Sequence, residues 1–107
     1  LSKRNNCEEL AQLFKALGHP TRLRIIHLLS EALDNNTCVE DIRFELELKQ
    51  PNISQHLAIL RNEKIVRFRR DGNRICYALA NKDLLKAIAY LGTCTGYKEN
   101  SEETNVE

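Results

Sequence analysis

The sequence predicts a small, mainly helical domain with one β-hairpin near its end, in the order α-α-α-α-β-β-α. Three observations carry this. Apolar residues recur at helical spacing through residues 8–62. The pattern changes to strand period over 66–79. A length of 107 residues with 42% hydrophobic content allows one core and not two.

The elements follow in order. Leu10, Leu13, Phe14 and Leu17 form one face of a first helix over 8–17, and Gly18 is its stop. Pro20 suits the first turn of a second helix, whose apolar face runs through Leu23, Ile26 and Leu29 to Leu33. Asp34-Asn35-Asn36 reads as a polar turn. Thr37 followed by Glu40 fits a capping box, which predicts a third helix from Cys38 to residue 45 that buries Val39 and Ile42. Pro51 opens a fourth helix over 51–62, with Ile53, Leu57 and Leu60 inward. Val66 and Phe68 alternate with Arg67 and Arg69, and Ile75, Tyr77 and Leu79 with Cys76 and Ala78. Asp71-Gly72 between these runs predicts a tight hairpin of strands 66–70 and 74–79. Asn81 caps a final helix over 82–95 carrying Leu84, Leu85, Ile88 and Leu91. Residues 1–97 are then the folded unit, and 98–107 an acidic tail expected to be disordered.

The formal net charge of +1 conceals a segregation. Residues 1–48 carry −2, residues 49–98 carry +7, and residues 99–107 carry −4. The cationic block coincides with the fourth helix and the hairpin, which fits a polyanionic partner. No apolar run approaches the ~20 residues that a membrane span needs. The start lacks the order of a signal peptide, so the expected compartment is the cytoplasm. Cys7, Cys38, Cys76 and Cys94 then read as thiols and not as a structural disulfide set.

Two short helices joined by a tight turn and followed by a basic hairpin have the order of a winged helix-turn-helix. The outer face of the fourth helix offers Asn52, Ser54, Gln55, His56, Ile59 and Arg61. Side-chain amides at a helix start bond base edges in the major groove, and Ser54 suits phosphate. The hairpin adds Arg67, Arg69, Arg70, Asn73 and Arg74, placed for backbone phosphate or the minor groove.

The segments LFKALGHPTRLRIIHLL (13–29), PNISQHLAILRNEKIV (51–66) and RRDGNRICYAL (69–79) resemble the ArsR/SmtB family of bacterial and archaeal repressors. The likeness spans residues 10–92 and is most specific at His19-Pro20-Thr21-Arg22 and Ser54-Gln55-His56-Leu57. It implies a homodimer joined through the first and last helices, with the fourth helix reading operator DNA and the hairpin as wing. One domain presents one such helix, so specific binding calls for the dimer. Gln50 departs from the Ser or Thr often found before that helix, which weakens the cap and one phosphate contact. A longer connection over Ala32–Asn36 is a second departure.

The family's sensor sites carry over only in part. Arsenic and cadmium sensors show Cys-Val-Cys-Asp-Leu at the third helix; Cys38-Val39-Glu40-Asp41-Ile42 keeps only the first thiol. Zinc sensors use histidines on the last helix, and Asp83 and Glu99 here have Leu85 and Gly96 in place of the imidazoles. Redox sensors pair a cysteine on the second helix with one near the end of the last, and His27 stands at the first of these positions. Cys38, at a helix start that favours thiolate, is therefore the leading effector residue, with Cys7 and Cys94 at the outer ends of the terminal helices. Cys76 is assigned no role. His19 reads as a turn residue and His27 as packing.

The expected function is a dimeric repressor that releases operator DNA when its thiols bind a soft metal or metalloid ion such as arsenite or cadmium. Thiol oxidation or reactive-sulfur chemistry ending in a disulfide is the alternative. No obligatory cofactor is expected, and the soft ion acts as effector. The expected partners are double-stranded operator DNA and a second copy of the chain, with no membrane and no small-molecule substrate. A thiol enzyme lacks a C-x-x-C pair and a phosphate loop, so no enzymatic activity is expected. A winged helix used only for protein contacts is separated from a DNA-binding one by salt-dependent duplex binding.

Overall fold

The computed structural model describes residues 3–31 and 37–94, with the side chains of residues 3–5, Gln50 and Cys94 outside that description. Helix α1 spans Lys3–Leu17, five residues longer at its start than the apolar spacing required. It ends where predicted. A Cβ on Gly18 would lie 3.3 Å from the Phe14 carbonyl oxygen, so a larger residue would crowd the end of the helix. Helix α2, Pro20–Ser30, starts with proline in its first turn, and Nδ1 of His19 caps it by accepting the Thr21 N–H. The predicted continuation through Leu33, the 34–36 turn, the Ala32–Asn36 connection and the 98–107 tail lie outside the described residues.

Residues Thr37 and Cys38 are a correction. They close no capping box but form a two-residue strand β1, Thr37–Cys38, paired antiparallel with a later strand. Glu40 turns instead to Arg43, 3.0 Å away. Helix α3 therefore spans Val39–Leu46, with Cys38 as a cap whose side chain makes no hydrogen bond to the helix. The turn after α3 places Glu47 at φ 54°, and its neighbour Leu48 donates back to the Arg43 carbonyl. This left-handed closure is the tight corner of the helix-turn-helix.

Helix α4 spans Gln50–Asn62 and ends the same way, with Lys64 at φ 61° and the Ile65 N–H returning to the Leu60 carbonyl. Strands β2, Val66–Asp71, and β3, Arg74–Leu79, form the hairpin. Its two turn residues are Gly72 and Asn73, with glycine at positive φ in the first central position. The sheet order is β1-β3-β2, so β3 is central and the element order becomes α-α-β-α-α-β-β-α. Helix α5, Asp83–Cys94, is opened by Asn81, whose Oδ1 accepts the Asp83 N–H at 2.8 Å.

The core gathers Ile25, Ile26 and Leu29 of α2, Ile42 of α3, Ile53, Leu57 and Leu60 of α4, and Val66, Tyr77 and Leu79 of the sheet. Of the predicted inward residues of α2, α3 and α4, Ile26, Leu29, Ile42, Ile53, Leu57 and Leu60 are buried, Val39 is half-buried and Leu23 is exposed, while Leu33 lies outside the described residues. The apolar faces of α1 and α5 are not used up within the chain. Leu10 and Phe14 of α1 remain 51% and 49% exposed, and Tyr90 and Leu91 of α5 remain 68% and 47% exposed.

Candidate nucleic-acid interface

Burial of Ile53, Leu57 and Leu60 fixes the rotation of α4 and leaves Asn52, Ser54, Gln55 and Arg61 on its exposed side. Lys49 stands as the cap of this helix without a side-chain hydrogen bond. Asn52, Ser54 and Gln55 therefore share the exposed start of α4, where the positive end of the helix dipole favours an anion. Gln50 begins the helix, and its side chain lies outside the described residues.

His56 does not belong to the solvated face on which the sequence placed it. It is half-buried, with its ring 4.5 Å from that of His19 and its Nδ1 3.2 Å from a guanidinium nitrogen of Arg22. The same Arg22 donates from Nε to the Ala16 carbonyl and from Nη2 to the Lys15 carbonyl. Ile59 is likewise half-buried. His19 and Arg22, in one of the two most specific sequence segments, thus meet His56 in the other. Spacing alone gave no sign of it, because the segments are 34 residues apart.

Arginine has donors only, so His56 Nδ1 accepts and the ring proton sits on Nε2. Burial lowers the His56 pKa from its ordinary 6.5, and the charges on His19 and Arg22 lower it further. Protonation at Nδ1 breaks the bond to Arg22. The folded state then binds fewer protons than the unfolded one, so stability is full above pH 6.5 and falls as pH drops below it. Urea unfolding at stepped pH is expected to show this loss between pH 7 and 5, and a smaller one in His56→Gln. An identical pH dependence in the variant would remove His56 from the clamp.

The arginines of the hairpin and of the end of α4 divide into two groups. Arg67 donates to the Leu79 carbonyl at 3.2 Å, and the Arg61 guanidinium lies 4.6 Å from the centre of the Phe68 ring. These two join the wing to itself and to α4. Arg69, Arg70 and Asn73 are exposed along the hairpin. Arg74 is exposed as well and lies 3.8 Å from Asp41 of α3, a pairing worth little in solvent.

Cys38 and Cys76 are the second correction. Cys76 is 2% exposed and Cys38 8%, and their sulfurs are 2.7 Å apart. The helix start does not turn Cys38 into a thiolate. Its thiol is pushed up to about 11 by the hydrogen bond with Cys76 and by burial, against a smaller opposing pull from Arg74. Cys7 is exposed on α1 and the Cys94 side chain lies outside the described residues. Among the described residues no three His, Cys, Asp or Glu side chains converge as metal ligands. His27 is exposed and lies 3.2 Å from Glu31, so it does not pack as predicted. No helix of the described residues is long and apolar enough to cross a membrane.

A helix-turn-helix of α3 and α4 followed by a basic β-hairpin defines a winged helix-turn-helix regulator. The model of the family described as "bacterial regulatory protein, arsR family" matches residues 19–67, and the chain belongs to that family. It is 40% identical over 84 residues to an uncharacterised helix-turn-helix transcriptional regulator of Methanocaldococcus jannaschii, covering 76% of this chain and 92% of that protein. It is 44% identical over 69 residues to the arsenical resistance operon repressor of Escherichia coli, covering 64% of this chain and 57% of that one. Among solved structures, the homodimeric winged helix-turn-helix DNA-binding domain of a possible ArsR-family regulator from Mycobacterium bovis matches with a TM-score of 0.77. That match has 25% identity and covers 98% of this chain and 92% of that one.

Proposed function

We propose that the chain is one protomer of a dimeric transcriptional repressor that reads operator DNA through α4 and grips its backbone with the wing. One observation carries this: Asn52, Ser54 and Gln55 stand exposed at the start of α4, and Arg69, Arg70 and Asn73 stand exposed on the hairpin that packs beside it. The exposed apolar residues of α1 and α5 support association through those helices, as does the homodimeric relative from Mycobacterium bovis. The expected site of action is the cytoplasm, with no enzymatic step.

Release of DNA is proposed to follow chemistry at cysteine. A soft metal or metalloid ion on thiolates is the first reading, and the arsenical repressor of Escherichia coli supports it by likeness. Thiol oxidation is the second, and the close Cys38–Cys76 pair favours it. An effector acts only through its different affinity for the DNA-bound and free states.

The test begins with a duplex selected from a random-sequence pool. Binding is expected to weaken with salt at a slope of about −0.9 per phosphate contact. Arg70→Ala is expected to flatten that slope by roughly 2, since the dimer carries the change twice, and to weaken selected and random duplexes alike. Gln55→Ala is expected to keep the slope and to lose about 1–3 kcal/mol of discrimination at particular base pairs. A wild-type slope of zero would falsify the DNA-binding reading.

A further inference from the structure

Cys38 and Cys76 stand directly opposite each other across the β1–β3 ladder, both buried and with their sulfurs in contact at 2.7 Å. Cys76 also stands opposite Arg69 of β2, so the two thiols and a wing arginine form one row across the sheet. Cys38 is the residue from which α3 departs. Cys76 lies 38 positions further along the chain, and the stretch between the two contains α3, α4 and β2, that is, the whole helix-turn-helix and half of the wing. Strand β1 is two residues long and lies at the edge of the sheet, paired with β3 alone.

We propose that Cys38 and Cys76 of one protomer form a reversible disulfide on exposure to a peroxide, closing the DNA-reading unit into a covalent loop and changing its affinity for DNA. This rests on the repressor reading above and assigns its oxidative switch to thiols within one chain. When β1 peels from β3 and frees Cys38 from burial and from Cys76, its thiol ionises, and the thiolate sulfur attacks a peroxide oxygen. The O–O bond breaks, hydroxide leaves and is protonated to water, and a sulfenic acid remains. The second sulfur then attacks the sulfenic sulfur, the S–O bond breaks and a second water leaves. Two thiols lose two protons and two electrons, and one peroxide becomes two waters.

The geometry sets the character of the switch. The product is uncharged, so its buried place between β1 and β3 costs nothing in desolvation. Burial shields the pair while β1 is paired, and the short edge strand exposes Cys38 when it peels from β3. Once formed, the bond fixes the start of α3 to the central strand of the wing. A dithiol reductant reverses the reaction by exchange.

Mass spectrometry of the Cys7→Ser, Cys94→Ser double variant after hydrogen peroxide is the direct test. The expected result is a loss of two protons, with the tryptic peptides of Cys38 and Cys76 joined. Peptide mapping of the oxidised wild type gives the same answer with every residue native. Fluorescence anisotropy on a mixed-sequence duplex of about three helical turns is expected to show a change in affinity of about fivefold or more. Dithiothreitol is expected to restore the reduced value.

Thiols that stay reduced, or a bond carried by Cys7 or Cys94 between protomers, would overturn the assignment. A disulfide that leaves affinity unchanged would overturn its regulatory part. Failure of the reduced protein to bind any duplex would sink the repressor reading instead, while the mass measurement still decides the bond.

Discussion

Leu10→Glu is expected to leave a folded monomer that no longer binds selected DNA. Leu10 is half exposed in the protomer, beside Phe14 on the face of α1 that the core does not use. A carboxylate there meets water in the monomer and costs little. In a two-fold interface the same change appears twice, because each protomer presents the same patch to the other. Each buried, unpaired charge costs about 3–5 kcal/mol, so the dimer loses at least about 6 kcal/mol, some four powers of ten in association. Sedimentation is expected to show half the mass with an unchanged far-ultraviolet circular dichroism spectrum. DNA affinity falls with it, since one recognition helix reads only one half-site. A variant that sediments as wild type would place the interface elsewhere.

Leu57→Ala is expected to be strongly destabilising. Leu57 is 1% exposed and packs in the cluster that joins α2, the sheet and α4. Removal of its branched end forfeits its burial and leaves a cavity, a loss of about 3–5 kcal/mol. That is a large part of the 5–15 kcal/mol that holds a typical domain together. Chemical denaturation is expected to show the midpoint falling, and DNA binding to fall only as far as the folded fraction does. This separates it from Gln55→Ala, which leaves stability alone and changes the base preference. A cost below about 1 kcal/mol would mean that the site collapses around the smaller side chain.

The large features were legible because each has a local cause. Pro20 and Pro51 mark helix starts, the 3.6 period marks the core faces, and Asp71-Gly72 marks the hairpin. What the sequence did not reveal depends on pairing at a distance. Thr37 and Cys38 are too few to show a period, and they become a strand only because Tyr77 and Cys76 lie beside them. Alternation placed Cys76 on the side of β3 away from Tyr77, which reads as solvent in a two-stranded hairpin. The third strand covers it, and Cys38 meets it there.

His56 was misread for a similar reason. Its helix position is exposed in isolation, and only the arrival of His19 and Arg22 from α2 buries it. Glu47 and Lys64 hold left-handed corners where the usual signal is glycine or asparagine, so both helix ends were found by pattern and not by cap. The candidate contacts on α4 and the wing were found by charge and position, but which arginines the fold itself occupies was not.

Arg22 has a consequence for how a signal travels. One guanidinium holds the last carbonyls of α1 and, through His56, the middle of α4. Helix α1, which carries part of the unspent apolar face, is thereby strapped to α4, the helix proposed to read DNA. In the dimer proposed above, a tilt of α1 against its partner would pass to α4 as a lever passes motion, through the Arg22–His56 contact.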